Sequence, residues 1–111
     1  MSTKPLTPEL LAWVAERFKA LAEPARLHLL HALRAGEMTV SELVEETDMG
    51  QANVSKHLQL LYAHGLVARR KDGLFTRYRL AGRDVFRLCD IMCSRLERDT
   101  TARQKLLAPR A

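Results

Sequence analysis

The sequence predicts a mainly α-helical fold with one small β-hairpin, and three observations support this prediction. Apolar residues recur at helical spacing along most of the chain, as Val54, Leu58 and Leu61 do. Prolines and glycines interrupt that spacing at points where helices would begin or end. Asp72-Gly73, a strong hairpin-turn signal, separates two runs of alternating side chains. The predicted order of elements is α-α-α-α-β-β-α.

Capping residues and prolines delimit the first two helices. Thr7, followed by Pro8, predicts the start of a helix that runs to about Ala22. Glu23-Pro24 opens the second helix, and Gly36 marks its end. Leucines at helical spacing in this second helix are predicted to line the core: Leu27, Leu30 and Leu33.

Length and composition limit the class of protein. The 111 residues, 47% of them apolar, predict a single domain over 7–107, with a flexible arm at 1–6 and a tail at 108–111. We expect no membrane association, since no apolar run is long enough to span a bilayer and MSTKPLTPEL lacks the core of a signal peptide. Two cysteines without a secretory signal predict thiols in a reducing cytoplasm.

Residues 39–67 read as two short helices joined by a tight turn, and the rest of the chain is organised around them. Val40, Leu43 and Val44 give the first helix an apolar face, and residues 47–50 form the turn. The second helix carries glutamine, asparagine, serine and lysine opposite its apolar stripe. Such side chains hydrogen-bond to base edges or phosphates, so the pattern indicates a helix-turn-helix with a recognition helix. The same residues also fit an ordinary helical hairpin with a polar outer face.

Charge is distributed unevenly around this segment. Residues 37–48 carry five acidic side chains and no lysine or arginine, whereas residues 69–83 carry six lysines and arginines and one aspartate. Alternation along the second strand of the hairpin places arginines on one of its faces. The hairpin is therefore predicted to be a wing that contacts the DNA backbone. A charged strand edge that resists aggregation is an alternative, and both can hold.

A long final helix is predicted from about Arg83 to Leu107. Its apolar stripe is large for so small a domain, and Trp13 lies off the centre of the stripe of the first helix. Trp13 could be buried against a partner chain or half covered by its own helix. Packing the first and last helices against a second copy would cover the surplus, so the sequence predicts a homodimer.

The residues of the central segment resemble the ArsR/SmtB family of bacterial winged-helix repressors. LAEPARLHLLHAL, VSKHLQLL and the wing ahead of Tyr78 carry the resemblance, which covers roughly residues 18–80. It implies a winged helix-turn-helix homodimer, joined through the first and last helices, that represses transcription from a double-stranded DNA operator until an effector releases it. Leu74 departs from the many relatives with a basic residue after the wing glycine.

The pattern of residues and the resemblance agree on one set of candidate DNA contacts. Six lie on or beside the recognition helix and three in the wing: Gln51, Asn53, Ser55, Lys56, His57, Gln59, Arg70, Lys71 and Arg77.

The effector is less evident in the sequence. The metal sites that the resemblance implies are missing their cysteines before the recognition helix and their histidines in the last helix, and His28 and His31 lack further ligands. No cofactor is required. Cys89 and Cys93, four apart on one helix face, could chelate arsenite or another thiophilic ion given a third ligand, or could sense oxidants. Alternatively, both are small apolar residues that only pack.

Other classes of function are weighed against a repressor. The sequence shows no nucleophile–base arrangement and no glycine-rich phosphate loop, so we predict that the chain is not an enzyme. The alternatives are a winged-helix repressor without thiol or metal sensing, and a winged-helix module that contacts protein or RNA.

Overall fold

The computed structural model describes residues 5–107. Its elements follow in the order α1 (Pro8–Leu21), α2 (Pro24–Ala32), a 3-10 turn (Leu33–Ala35), β1 (Met38–Thr39), α3 (Val40–Thr47), α4 (Gln51–Ala63), β2 (Val67–Asp72), β3 (Phe75–Leu80) and α5 (Arg83–Leu107). The predicted order is confirmed, with β1 as an added two-residue strand. The predicted arm lies mostly outside the described residues, and the predicted tail lies wholly outside them.

The chain divides into two compact units, Met1–Ala81 and Gly82–Ala111. The first holds α1 to α4 and the sheet, and α5 belongs to the second. The extent of the single domain predicted over 7–107 stays a prediction. Within residues 5–107, no helix combines the length and the apolar run that would be needed to cross a bilayer.

Side-chain caps explain where α1 and α3 begin. The hydroxyl of Thr7 accepts a hydrogen bond from the Leu10 N–H at 3.1 Å, with Pro8 at the first helical position. Thr39 and Glu42 form a reciprocal capping box: each side chain accepts a bond from the other residue's backbone N–H, at 3.2 and 3.0 Å. The spacing Thr-x-x-Glu was visible in the sequence.

The core of the first unit is built from α2, α3 and α4. Its fully buried side chains are Leu29, Leu43, Val54, Leu58 and Leu61, which confirms the predicted stripe of the recognition helix. The core face predicted for α2 was partly wrong, because Leu27 is 41% exposed and Leu29 is buried in its place. Leu29 and Leu30 lie on the buried side of α2, and Leu33 is buried in the 3-10 turn that follows, whereas Leu27 lies roughly 200° around the helix from Leu29.

The sheet has the strand order β1-β3-β2, and all of its pairs are antiparallel. Asp72 pairs with Phe75, so the two turn residues are Gly73 and Leu74, one position later than the sequence predicted. Glycine takes the first position at φ 63°, and Leu74 keeps a negative φ, as a Gly-X turn allows. Asp72 is therefore the last residue of β2, and its carboxylate accepts a hydrogen bond from Arg77 in β3.

Two helices expose large apolar side chains. In α1 only Ala20 is buried, and Leu11, Phe18 and Trp13 are exposed, the last at 72%. In α5 the exposed apolar residues include Ile91, Met92 and Leu96. Trp13 is thus not half covered by its own helix.

Candidate nucleic-acid interface

The turn between α3 and α4 is fixed by local hydrogen bonds. Asp48 ends α3 in the left-handed region at φ 57°, with its N–H bonded to the Val44 carbonyl at 2.9 Å. The buried hydroxyl of Thr47 donates to the Leu43 carbonyl at 2.6 Å. Gly50 then begins α4, and its carbonyl accepts from the Val54 N–H at 3.0 Å. The two helices therefore form a helix-turn-helix.

Helix α4 presents short and amide side chains to solvent. Val54, Leu58 and Leu61 are fully buried along one side of the helix. The opposite side carries five exposed residues: Gln51, Ala52, Asn53, Lys56 and Gln59. Ser55, beside them, is half-buried. A helix held this firmly from behind presents a preorganised row of hydrogen-bonding groups.

His57, also predicted as a DNA contact, has a different environment. Its side chain is only 12% exposed, and its two ring nitrogens face a pair of charged residues from the start of α2. Nδ1 accepts from Nη1 of Arg26 at 3.4 Å, and Nε2 lies 3.6 Å from Oε1 of Glu23. His57 therefore ties the inner side of α4 to α2.

Arg26 is the centre of this contact and is also 12% exposed. Its Nε donates to the Ala20 carbonyl at 2.6 Å, and its Nη2 donates to the Lys19 carbonyl at 3.2 Å. Its Nη1 donates to Glu23 at 2.8 Å. One guanidinium thus joins the last turn of α1 to the start of α2 and to the recognition helix. In the sequence, Arg26 stands out only as part of the motif LAEPARLHLLHAL, which does not reveal this role.

The wing is the hairpin of β2 and β3. Arg70 pairs directly with Arg77, and Ala68 pairs with Arg79, so three arginines share one side of the hairpin. We call Arg70, Arg77 and Arg79 the arginine face. The predicted alternation of the second strand is confirmed by this register.

Three carboxylates lie against the arginine face. Glu37 accepts two bonds from Nε of Arg70, at 3.0 and 3.1 Å, and one from Nη2 at 2.9 Å. Arg77 donates from Nε to Asp72 at 2.6 Å and from Nη1 to Glu42 at 3.5 Å. We call Glu37, Glu42 and Asp72 the carboxylate cover. The sequence analysis noted the acidic segment 37–48 but did not connect it with the wing.

The carboxylate pKa values reflect these contacts. Hydrogen bonding from Arg70 lowers the pKa of Glu37, and Arg77 and Arg79 lower it further by their charge. Hydrogen bonding from Arg77 lowers the pKa of Asp72. The backbone N–H and hydroxyl of Thr39 lower the pKa of Glu42, with a smaller contribution from Arg77. All three groups are thus held in the charged form.

The other side of the wing differs in its surroundings. The Arg69 guanidinium stacks on Tyr62 of α4, 3.8 Å from the ring centroid. Lys71, on the same side, is exposed and has no ion-pair partner within residues 5–107. The Arg69–Tyr62 contact was not predicted, because its signal in the sequence is no more than an aromatic residue near the end of α4.

Comparisons with known proteins identify the family. The family model described as bacterial regulatory protein, arsR family, matches residues 23–69. The HTH-type transcriptional regulator NmtR of Mycobacterium tuberculosis is 38% identical over 86 residues, which cover 78% of this chain and 72% of that protein. The chain belongs to the arsR family of bacterial regulatory proteins. The family resemblance and the winged helix-turn-helix fold that the sequence predicted are both confirmed. The family is one of transcriptional regulators.

Two further comparisons bear on assembly and effector. A solution structure of the homodimeric winged helix-turn-helix DNA-binding domain Mb0332 of Mycobacterium bovis aligns with a TM-score of 0.71 at 33% identity, covering 100% of this chain and 98% of that one. A probable mercury resistance operon repressor of Streptomyces lividans is 45% identical over 64 residues, covering 58% of this chain and 51% of that protein. Three curated relatives, this repressor among them, are matched over only 35% to 65% of their own length.

Neither pair of effector candidates completes a metal site in this arsR-family chain. Within residues 5–107, no group of three or more His, Cys, Asp or Glu side chains could hold a metal ion. Cys89 is half-buried and Cys93 is exposed, and they form no disulfide. His28 and His31 are both exposed on α2. A third ligand for the cysteines would have to come from elsewhere.

The tip of the wing is apolar, as the departure at Leu74 predicts for this arsR-family member. Leu74 is 98% exposed, and its neighbour Phe75 is also exposed. The cations of the wing lie behind this tip on the strands.

Proposed function

We propose that the chain is a homodimeric transcriptional repressor that binds a double-stranded DNA operator with α4 in the major groove. The observation that carries this proposal is the row of exposed amide and short side chains on α4, backed by fully buried Val54, Leu58 and Leu61. Membership of the arsR family supports it. Such a regulator acts in the cytoplasm and needs no catalytic residue.

Base reading is assigned to the exposed face of α4. Gln51, Asn53 and Gln59 can form paired hydrogen bonds with adenine, and Ser55 can bond either kind of base edge. Lys56 would contact guanine or a phosphate. In the wing, Arg70, Lys71 and Arg77 are the cations proposed for the DNA-binding surface. Lys71 is exposed for a phosphate contact, whereas Arg70 and Arg77 are bonded to Glu37, Asp72 and Glu42 and would have to exchange these carboxylates for phosphate.

His57 supports this face from behind in the proposed mechanism. With 12% of its side chain exposed and Arg26 and Glu23 against its ring, it is better placed to position α4 than to reach a base. We therefore propose a positioning role for His57 in DNA binding.

The proposed dimer forms through α1 and α5. Both helices expose apolar side chains that water disfavours, among them Trp13 and Phe18 in α1 and Ile91 and Leu96 in α5. The homodimeric Mycobacterium bovis domain supports the assembly. A two-fold dimer would present two copies of α4 to two half-sites of an operator.

The proposed effector acts on Cys89 and Cys93. Two residues four apart lie on one side of a helix, and thiolates favour soft ions such as mercury or arsenite. The similarity to a mercury resistance operon repressor supports this chemistry. A repressor whose cysteines only pack is the competing proposal.

Fluorescence anisotropy tests the function directly. The reduced protein is titrated onto a labelled duplex from upstream of its own gene and onto a scrambled duplex, at several salt concentrations. A DNA-reading repressor prefers the upstream duplex, and its affinity falls steeply with salt because bound phosphates release counterions. Equal, salt-insensitive binding to both duplexes would favour the alternative of a protein or RNA module.

The effector is tested in the same assay. Mercuric ion or arsenite should lower affinity about tenfold, which corresponds to about 1.4 kcal/mol. Cys89→Ser and Cys93→Ser should each abolish this response and leave DNA binding intact. If wild-type binding ignored both ions, the cysteines would be packing residues.

A further inference from the structure

The carboxylate cover engages two of the three guanidinium groups of the arginine face. Glu37 holds Arg70 in a two-pronged contact, and Asp72 and Glu42 both accept hydrogen bonds from Arg77. Guanidinium binds carboxylate and phosphate with the same fork of N–H groups, so only one of these anions can occupy the fork at a time.

We propose that Glu37, Glu42 and Asp72 act as an internal competitor for DNA phosphate, silencing Arg70 and Arg77 and thereby limiting the protein's affinity for all DNA. This inference rests on the proposed DNA-binding function and deepens it. Neither Lys71 nor Arg79 has a hydrogen-bonded carboxylate partner within residues 5–107, so both are wing cations left to contact the backbone.

The contacts are accessible enough to be exchanged. The side chain of Arg70 is 50% exposed and that of Arg77 is 31% exposed. Exposed ion pairs are weak, because water screens both partners, so removing the carboxylates should release the arginines without unfolding the wing. Carboxylate and phosphate can therefore compete for Arg70 and Arg77 at the protein surface.

Each carboxylate can be replaced by its amide with little structural loss. Gln at position 42 still completes a capping box with Thr39. Asn at position 72 is well tolerated next to a turn. Glu37 caps no helix within residues 5–107, and its carboxylate is hydrogen-bonded to Arg70 of the wing. The triple variant Glu37→Gln/Glu42→Gln/Asp72→Asn should therefore fold.

A matched control separates this effect from net charge. Glu45→Gln/Glu46→Gln/Asp48→Asn also removes three acidic groups from the first unit, none of which has an ion-pair partner within residues 5–107. Asn is suited to position 48, where φ is 57°. Both variants carry the same net charge.

The experiment measures affinity for a random-sequence duplex against salt concentration by anisotropy. The carboxylate-cover variant should bind on the order of tenfold more tightly than the control variant at low salt. Its plot of log affinity against log salt should be steeper by about 2, since each new phosphate contact adds about 0.9 to the slope. Equal affinity of the two variants would overturn the proposal.

A charge-balanced variant gives the second test. Arg70→Gln/Arg77→Gln/Glu37→Gln/Asp72→Asn removes two charges of each sign, and a silenced pair should leave affinity within about threefold of wild type and the salt slope unchanged. A slope reduced by about 2 would show that the arginines already contact phosphate in the wild type, which contradicts the proposal. Lys71→Gln should reduce the slope by about 1.

Failure of the proposed function would look different. In that case wild-type protein would show no salt-dependent affinity for any duplex, whatever the variants do. Salt-dependent wild-type binding, together with no gain in the carboxylate-cover variant, would reject only the competition.

Discussion

Replacing Arg26 by glutamine should weaken both the fold and the recognition of DNA. The partly buried guanidinium donates to the Ala20 and Lys19 carbonyls at the end of α1 and contacts His57 in α4. Hydrogen bonds from a charged donor contribute about 1.5–3 kcal/mol each. Since water can reach the Lys19 carbonyl after the change, we expect the two carbonyl bonds together to account for a loss of about 2–4 kcal/mol.

The assay is urea unfolding followed by circular dichroism at one fixed protein concentration, because dimer stability depends on concentration. The free energy of unfolding should fall by the amount above, and the thermal midpoint by on the order of 10 °C. Arg103→Gln, at an exposed position on α5, is the matched control and should change little. A loss below about 1 kcal/mol in Arg26→Gln would refute the reasoning.

The DNA readout of the same variant separates positioning from electrostatics. A misplaced α4 should lose affinity for the upstream duplex more than for scrambled DNA, while the salt slope stays that of the wild type. A flattened slope would instead mean that Arg26 itself contacts phosphate.

Three further predictions concern stability. Leu58→Ala should cost about 2–5 kcal/mol, because Leu58 is fully buried in α4, and urea unfolding would show it. Thr39→Ala should cost about 1 kcal/mol by removing the cap of α3, and Thr39→Ser should restore most of this in the same assay. Folding lowers the pKa values of Glu37 and Asp72 from their ordinary values of 4.5 and 3.8. The two carboxylates therefore stabilise the folded protein at pH values above their ordinary pKa values, and this stabilisation is lost as the pH falls through their lower pKa values in the folded state. The carboxylate-cover variant should therefore lose less stability than wild type between pH 5 and pH 2 (about three pH units), and equal losses would contradict the assignment.

The spacing of apolar residues and the capping residues at helix ends predicted the helices well. Thr7-Pro8 begins α1, and Gly50 ends the turn before α4, as the sequence indicated, because capping is a local property of single residues. The buried stripe of α4 followed from spacing alone. The wing followed from the hairpin-turn signal and the alternation of arginines, and the family resemblance agreed with it.

Contacts between distant segments could not be predicted from spacing. Leu27 and Leu29 both fit an apolar α2, and only packing against α3 and α4 decides which is buried. Glu37 meets Arg70 because β1 pairs with β3, which brings residues 33 positions apart into contact. The environment of His57 depends on Arg26 from another helix, so spacing within α4 does not reveal how little of its side chain is exposed.

The most direct test of the account measures how α4 reads sequence. The ratio of affinities for the upstream and scrambled duplexes is compared in wild type, in Gln51→Ala/Asn53→Ala and in Gln104→Ala, an exposed glutamine of α5 that serves as control. The account predicts that the double variant lowers the ratio by tenfold or more, at roughly 1–3 kcal/mol for each lost base contact, with unchanged affinity for scrambled DNA. An unchanged ratio in the double variant would contradict the claim that this face of α4 reads the operator.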